Sequence, residues 1–165
     1  MEKVTISSEL MDLLNAALLR ELEVSVQYML QHTLWAGKTS IFKGEEKLSK
    51  PTKFVASHKL VFLPGITLKK IAITEMRHAE KIGERIIVLG GEIVEEVPSS
   101  TLGASIHEIL EIDKDQEKAA IELYNRIIEM ATKEGDDITT TMFKKILKDE
   151  EGHYKTFSTL LEMGD

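Results

Sequence analysis

Two segments of the chain place a glutamate three residues ahead of a histidine: Glu75-Met-Arg-His78 and Glu150-Glu-Gly-His153. On a helix this spacing puts both side chains on one face, where they can ligate a common ion. In both segments that face is also an apolar stripe. Leu68, Ile71, Ile82 and Leu89 share it with the first pair, and Met142, Ile146, Phe157 and Leu160 with the second. Two further glutamates sit in the same kind of setting. Glu21 is in phase with Leu14, Leu18, Ser25, Tyr28 and His32, and Glu117 with Ile106, Leu110, Asp113, Ala120, Tyr124 and Ile127. An ionised carboxylate facing an apolar core costs several kcal/mol unless it is paired, so stability alone gives no reason for any of the four. Four glutamates and two histidines directed into one core make a ligand set for two divalent cations bridged by carboxylate, because four negative charges then meet four positive ones. The chain has no cysteine, so any metal is held by oxygen and imidazole nitrogen, donors that suit iron or manganese.

The stripes define the elements that position these residues. A first helix is expected over about 8–36, opened by Ser7 or Ser8 as N-cap, and a second over about 66–90, stopped at Gly90-Gly91. A third is expected over about 104–134, ending near Gly135, and a fourth over about 138–163. Prolines occur only at Pro51, Pro64 and Pro98, and they are read as breaks between these long helix-forming pieces. Four amphipathic helices with one apolar stripe each give an all-α four-helix bundle. Helices three and four, joined by a few residues around Gly135-Asp136-Asp137, are expected to be antiparallel neighbours. The 14 residues from Gly91 to Ala104 reach up to ~46 Å, against roughly 37 Å for a 25-residue helix, so they form a crossover long enough to run the length of the bundle. Residues 36–65 are expected to form an extended connection between helices one and two. It is basic, with six lysines (38, 43, 47, 50, 53 and 59) against Glu45 and Glu46.

The whole chain bounds these expectations. Its 165 residues suit a single domain over 1–165, and 42% hydrophobic with 30% charged residues is ordinary for a globular protein. No run approaches the ~20 apolar residues of a membrane span, and the opening MEKVTISSEL lacks the apolar region of a signal peptide, so the expected location is the cytoplasm without a membrane partner. A net charge of -7 argues against a general nucleic-acid binder.

Leu14-Asn15 with Glu21-Leu22 and Gln27-Tyr28, then Glu75-Met76-Arg77-His78-Ala79-Glu80 with Arg85-Ile86, then Asp149-Glu150-Glu151-Gly152-His153, resemble the bacterioferritin branch of the ferritin-like superfamily. The likeness covers all four helices and omits the 36–65 connection. It implies a di-iron carboxylate centre in which Glu75 and Glu150 bridge the metals, Glu21 and Glu117 are terminal ligands, and His78 and His153 complete the set. It further implies that Asp113 and Asp149 orient the ligand histidines through their other ring nitrogen, and that Tyr28 lies near the site. Met76 matches the methionine that ligates a haem b shared by two subunits. The implied activity is a ferroxidase that oxidises Fe(II) to Fe(III) with oxygen or hydrogen peroxide, serving iron storage, detoxification and protection from oxidative stress. The alternative is a di-metal peroxidase, manganese catalase or oxygenase that stores nothing. Assembly is expected as a homo-oligomer, from a dimer to a hollow shell. Only twelve residues follow His153, too few for the short fifth helix of bacterioferritins, which favours a mini-ferritin shell or a dimer. DNA is not expected as a partner, since DNA-protecting mini-ferritins rely on a lysine-rich tail and the first ten residues here hold one lysine.

Overall fold

Ser7 starts the first helix: its hydroxyl accepts from the Leu10 amide at 3.1 Å and its carbonyl from the Met11 amide at 3.2 Å. In the computed structural model, which describes residues 6–41, 54–94 and 99–162 and the side chains of 6–34, 67–94 and 99–162, four α-helices follow. They are α1 (Ser8–Ile41), α2 (Phe54–Leu89), α3 (Ile106–Lys133) and α4 (Asp137–Glu162). Glycines close two of them where a left-handed residue is needed. Gly90 (φ 83°) and Gly135 (φ 76°) each end a helix in a Schellman turn, with Gly91 N–H on Ile86 O at 3.0 Å and Asp136 N–H on Ala131 O at 2.8 Å. Ser105 caps α3 by accepting from the Glu108 amide at 3.2 Å.

The extended connection expected over 36–65 is corrected. Helix α1 continues to Ile41 and α2 begins at Phe54, so both helices run into that segment. Pro64 lies inside α2 and does not break it. An interior proline removes one backbone hydrogen bond and costs about 3 kcal/mol, a local penalty that a long helix absorbs. Residues 42–53, which carry Lys43, Lys47, Lys50 and Lys53 of the expected basic connection, lie outside the described residues.

Helices α1 and α2 pack as one pair, α3 and α4 as another, and α1–α3 and α2–α4 contacts join the pairs. Among the described residues this leaves α2 and α3 diagonal to each other. Both pairs are antiparallel, since two apolar clusters match opposite ends of the helices. At one end Leu10, Leu14 and Ala17 meet Ile82, Ile86, Tyr124, Ile127 and Phe143; at the other Val24 and Tyr28 meet Leu68, Ile71, Leu110 and Phe157. The crossover from α2 to α3 therefore travels from one end of the bundle to the other, and it does so along α1. Asn15 holds its start, donating to Glu92 O at 3.1 Å and accepting from Val94 N–H at 3.1 Å. Gln27 holds its far end by accepting from Thr101 N–H at 3.0 Å.

Candidate metal centre

Between the two apolar clusters lies a polar layer. Glu21, Glu75, Glu117 and Glu150 all reach it from mid-helix, each with 0% exposure, together with His78 and the partly buried His153. The six expected ligands are thus brought together. They form two groups, Glu21/Glu75/His78/Glu150 and Glu75/Glu117/Glu150/His153, in each of which one donor atom per residue lies within 4.8 Å of the others. Glu75 and Glu150 belong to both.

Close contacts set the geometry. His78 Nδ1 lies 3.1 Å from Glu75 Oε2, 3.0 Å from Glu150 Oε1 and 3.8 Å from Glu21 Oε1. His153 Nδ1 lies 2.7 Å from Glu75 Oε1, 3.7 Å from Glu150 Oε2 and 4.0 Å from Glu117 Oε2. Several of these atoms are crowded without being aligned: Glu21 Oε2, Glu75 Oε1, both Glu150 oxygens and His153 Nδ1 are buried and lack a hydrogen-bond partner. Buried donors and acceptors are normally satisfied, so a set of orphaned lone pairs converging on one space is what a cation site leaves when the ions are taken away. The donor set fits two ions of the iron or manganese class.

The electrostatics follow from this crowding. Burial alone would lower the His78 and His153 pKa values, but the surrounding carboxylates outweigh it and push them up to about 12 and about 10. Burial raises Glu21 to about 8 against the pull of His78, and raises Glu117 as well. Glu75 and Glu150 go the other way: burial opposes it, yet the two histidines hold both below the ordinary carboxylate range.

Around the layer, Tyr28 donates to Glu117 Oε1 at 2.6 Å and Tyr124 donates to Glu21 Oε1. Each ring is seated edge-on against a phenylalanine of α4, Tyr28 on Phe157 and Tyr124 on Phe143. Asp149 Oδ2 lies 3.3 Å from His78 Nε2, the far side of that ring. Asp113 does not take the matching place at His153. Its Oδ1 instead accepts from Gln27 at 3.1 Å and Gln31 at 3.0 Å, because those glutamines stand one turn apart on the α1 face that meets α3. Burial pushes the Asp113 carboxyl up to about 7, against those two hydrogen bonds. Met76 lies outside the layer, 47% exposed on α2 in a surface groove with Val26, Met29, Leu30 and Ile73.

Sequence reasoning missed Arg20, Tyr124, Gln27 and Gln31 as members of this layer. Tyr124 carried a signal, since Glu117–Tyr124 repeats the seven-residue spacing of Glu21–Tyr28. Arg20 gave none beyond its place next to Glu21.

A model of the ferritin-like domain matches residues 66–164 of the chain. The chain belongs to the ferritin-like family. Its relatives include the bacterioferritin of Streptomyces coelicolor, 30% identical over 156 residues that cover 94% of this chain and 81% of that protein. The bacterioferritins of Desulfovibrio desulfuricans and Brucella melitensis are 37% and 34% identical over shorter stretches, 56% of this chain in each case. Those matches span about half the length of these relatives, 52% and 58%. The crystal structure of the Desulfovibrio desulfuricans bacterioferritin, which describes its diiron site in different catalytic states, superposes with a TM-score of 0.73 at 30% identity over 94% of this chain and 79% of that one. No helix among the described residues of this ferritin-like chain is long and apolar enough to cross a membrane.

Proposed function

We propose that this chain is a ferroxidase of the bacterioferritin type, binding two Fe(II) ions and oxidising them to Fe(III) with oxygen or hydrogen peroxide, in the service of iron storage and detoxification. The observation that carries this reading is the pair of four-residue ligand groups sharing Glu75 and Glu150, with orphaned carboxylate oxygens aimed into the shared space. Iron held there supplies the redox chemistry: two Fe(II) give up two electrons, which with two protons reduce oxygen to hydrogen peroxide or hydrogen peroxide to water. The residues of the chain do the rest. Glu75 and Glu150, which belong to both ligand groups, would hold both ions, Glu21 and His78 would hold one of them and Glu117 and His153 the other. Tyr28 and Tyr124 fix the terminal carboxylates, Asp149 fixes the His78 ring, and the two apolar clusters exclude bulk water. In this reading the chain works as one cytoplasmic domain over 1–165 and assembles with copies of itself.

Manganese fits the same donors, and a manganese-loaded chain that disproportionates peroxide would be a catalase. A haem b between two copies would take Met76 as its ligand, since that sulfur stands exposed in an apolar groove. The test of the main reading is an anaerobic Fe(II) titration followed by oxygen or peroxide, read by absorbance, on chain of known native mass. Two saturable sites and rapid oxidation are expected, with both lost in Glu75→Ala and His153→Ala. Uptake far beyond two ions per chain supports storage, and a strict stop at two supports the peroxidase or oxygenase alternative. Added haem is expected to give a Soret band that Met76→Leu abolishes.

A further inference from the structure

The ligand set is internally repeated, and the repeat is broken at two places. Glu21 and Tyr28 on α1 match Glu117 and Tyr124 on α3, and Glu75 with His78 on α2 matches Glu150 with His153 on α4. Each tyrosine covers the glutamate of the opposite helix, so the repeat is also one of contacts. The residue before Glu21, however, is Arg20, whereas the one before Glu117 is Gln116. The residue before Glu150 is Asp149, whereas the one before Glu75 is Thr74.

Both breaks act in the same direction. Asp149 supports His78 from behind, which strengthens that ring as a donor. Thr74 spends its hydroxyl on Lys70 O at 3.2 Å, within its own helix. The buried Arg20 guanidinium leans on the opposite half of the site. Nη2 lies 3.2 Å from Glu117 Oε2, and Nη1 lies 3.6 Å from Glu150 Oε2, the oxygen on the His153 side. From the other half it touches Glu21 Oε1 at 3.4 Å. The Gln116 carbonyl at 3.1 Å and the Tyr124 hydroxyl at 3.3 Å hold it in place. Two divalent ions already neutralise four glutamates, and an arginine does not titrate, so Arg20 brings one positive charge more than a filled site needs.

We propose that Arg20 makes the two metal positions unequal. It engages the carboxylates of the Glu75/Glu117/Glu150/His153 position and repels the ion bound there, so the Glu21/Glu75/His78/Glu150 position fills first and holds its ion, while the second ion exchanges. Arg20 is thus a positioning residue, and the inference rests on the two-metal reading above. A unit charge ~5 Å from a divalent ion at an effective dielectric constant of ~20 changes its affinity by more than a hundredfold. Arg20 also reaches Glu21 at 3.4 Å, so both ions feel it, and the difference between the two positions is the smaller remainder, about tenfold.

Cobalt(II), titrated anaerobically into the metal-free chain and followed by visible absorbance and calorimetry, tests this without turnover. Two steps separated by about tenfold or more are expected, and anomalous scattering from crystals at one equivalent is expected to place the ion beside His78. Arg20→Gln is expected to tighten the second step and close the gap, and Arg20→Lys, which keeps the charge, to preserve it. Equal steps in the unaltered chain, a first ion beside His153, or an unchanged gap in Arg20→Gln would overturn the proposal. Should Arg20→Gln not fold, the two steps of the unaltered chain and the location of its first ion still decide. Two equal steps overturn the role of Arg20 alone, whereas an unaltered chain that takes up no cobalt overturns the two-metal reading with it.

Discussion

At the scale of single residues, the layer is a set of charges that satisfy one another badly until cations arrive. The two tyrosines show how the chain contains this. Tyr28 and Tyr124 each donate to one terminal glutamate and to no other ligand, so their loss separates the two halves of the site. Tyr28→Phe removes a hydrogen bond to a buried carboxylate and is expected to destabilise the metal-free chain by about 1.5–3 kcal/mol in urea unfolding. It should disturb metal uptake at the Glu117 position only, whereas Tyr124→Phe should disturb the Glu21 position directly and the Glu117 position through Arg20, which the Tyr124 hydroxyl holds at 3.3 Å. The histidines give a pH signature. An imidazole raised from 6.5 to about 12 (His78) or about 10 (His153) binds a proton in the folded state that the unfolded chain has released. The stability it contributes is complete below pH 6.5 and is lost as pH rises through the folded value. Glu21, raised from 4.5 to about 8, works in the same sense. The metal-free chain is therefore expected to melt at progressively lower temperature from about pH 6.5 toward 10, in thermal scans with a chelator present. Metal ligands must be deprotonated, so the loaded chain gains affinity over the same range and the two melting curves diverge.

At the scale of elements, the helices were legible because a period of 3.6 repeated over long, uninterrupted stretches, and Gly90 and Gly135 punctuated them. The glutamates and histidines that meet in the polar layer were legible for a related reason: they violate that period's apolar rule. Arg20 and Gln27 were not, since a polar residue beside a stripe looks solvated until the partner helix is placed. Asp113 could be put on the right face, but its partners lay on a helix whose rotation the sequence does not state. Pro64 was not legible as a helix residue, because its local cost of about 3 kcal/mol is visible in the sequence while the packing of the long helix that offsets it is not. The joint between α3 and α4 shows what a short connection requires. Asp136 caps α4 by accepting from Thr139 N–H at 3.0 Å, and it receives Arg85 of α2 at 2.6 Å, so one carboxylate ties α2 to the start of α4. Burial opposes its ionisation, but Arg85 and Thr139 hold the carboxyl below the ordinary 3.8. Its contribution is therefore present above pH 3.8 and lost only as pH falls through the lowered value. Asp136→Ala leaves Arg85 buried without its anion and is expected to cost about 3–5 kcal/mol near neutral pH, a deficit that shrinks under acid conditions. Urea titrations at both pH values check it.

At the scale of the molecule, one apolar face among the described residues has no partner within the chain. Among the described residues, the exposed large apolar residues of the helices fall almost entirely on α1 and α2: Val26, Leu30 and Leu34 on the first, Ile73, Met76, Ile87 and Val88 on the second, with Ile138 from α4. Ile93 and Val94 of the crossover extend the patch. An apolar face of this kind, confined to one antiparallel pair, suits an isologous contact in which a second copy presents the same surface. Val88, at 71% exposure, and Met76 stand within it, so Met76→Glu with Val88→Glu sets like charges against each other across the two-fold. Sedimentation is expected to give a native mass of at least two chains for the unaltered protein and one for the double variant. All six proposed ligands lie within one chain, and none is among the exposed residues of this face. The separated chains are therefore expected to keep both cobalt steps while losing any iron uptake beyond two ions each. A double variant that lost the two sites along with the assembly would mean that the layer is completed by a neighbour, contrary to the geometry of the single chain.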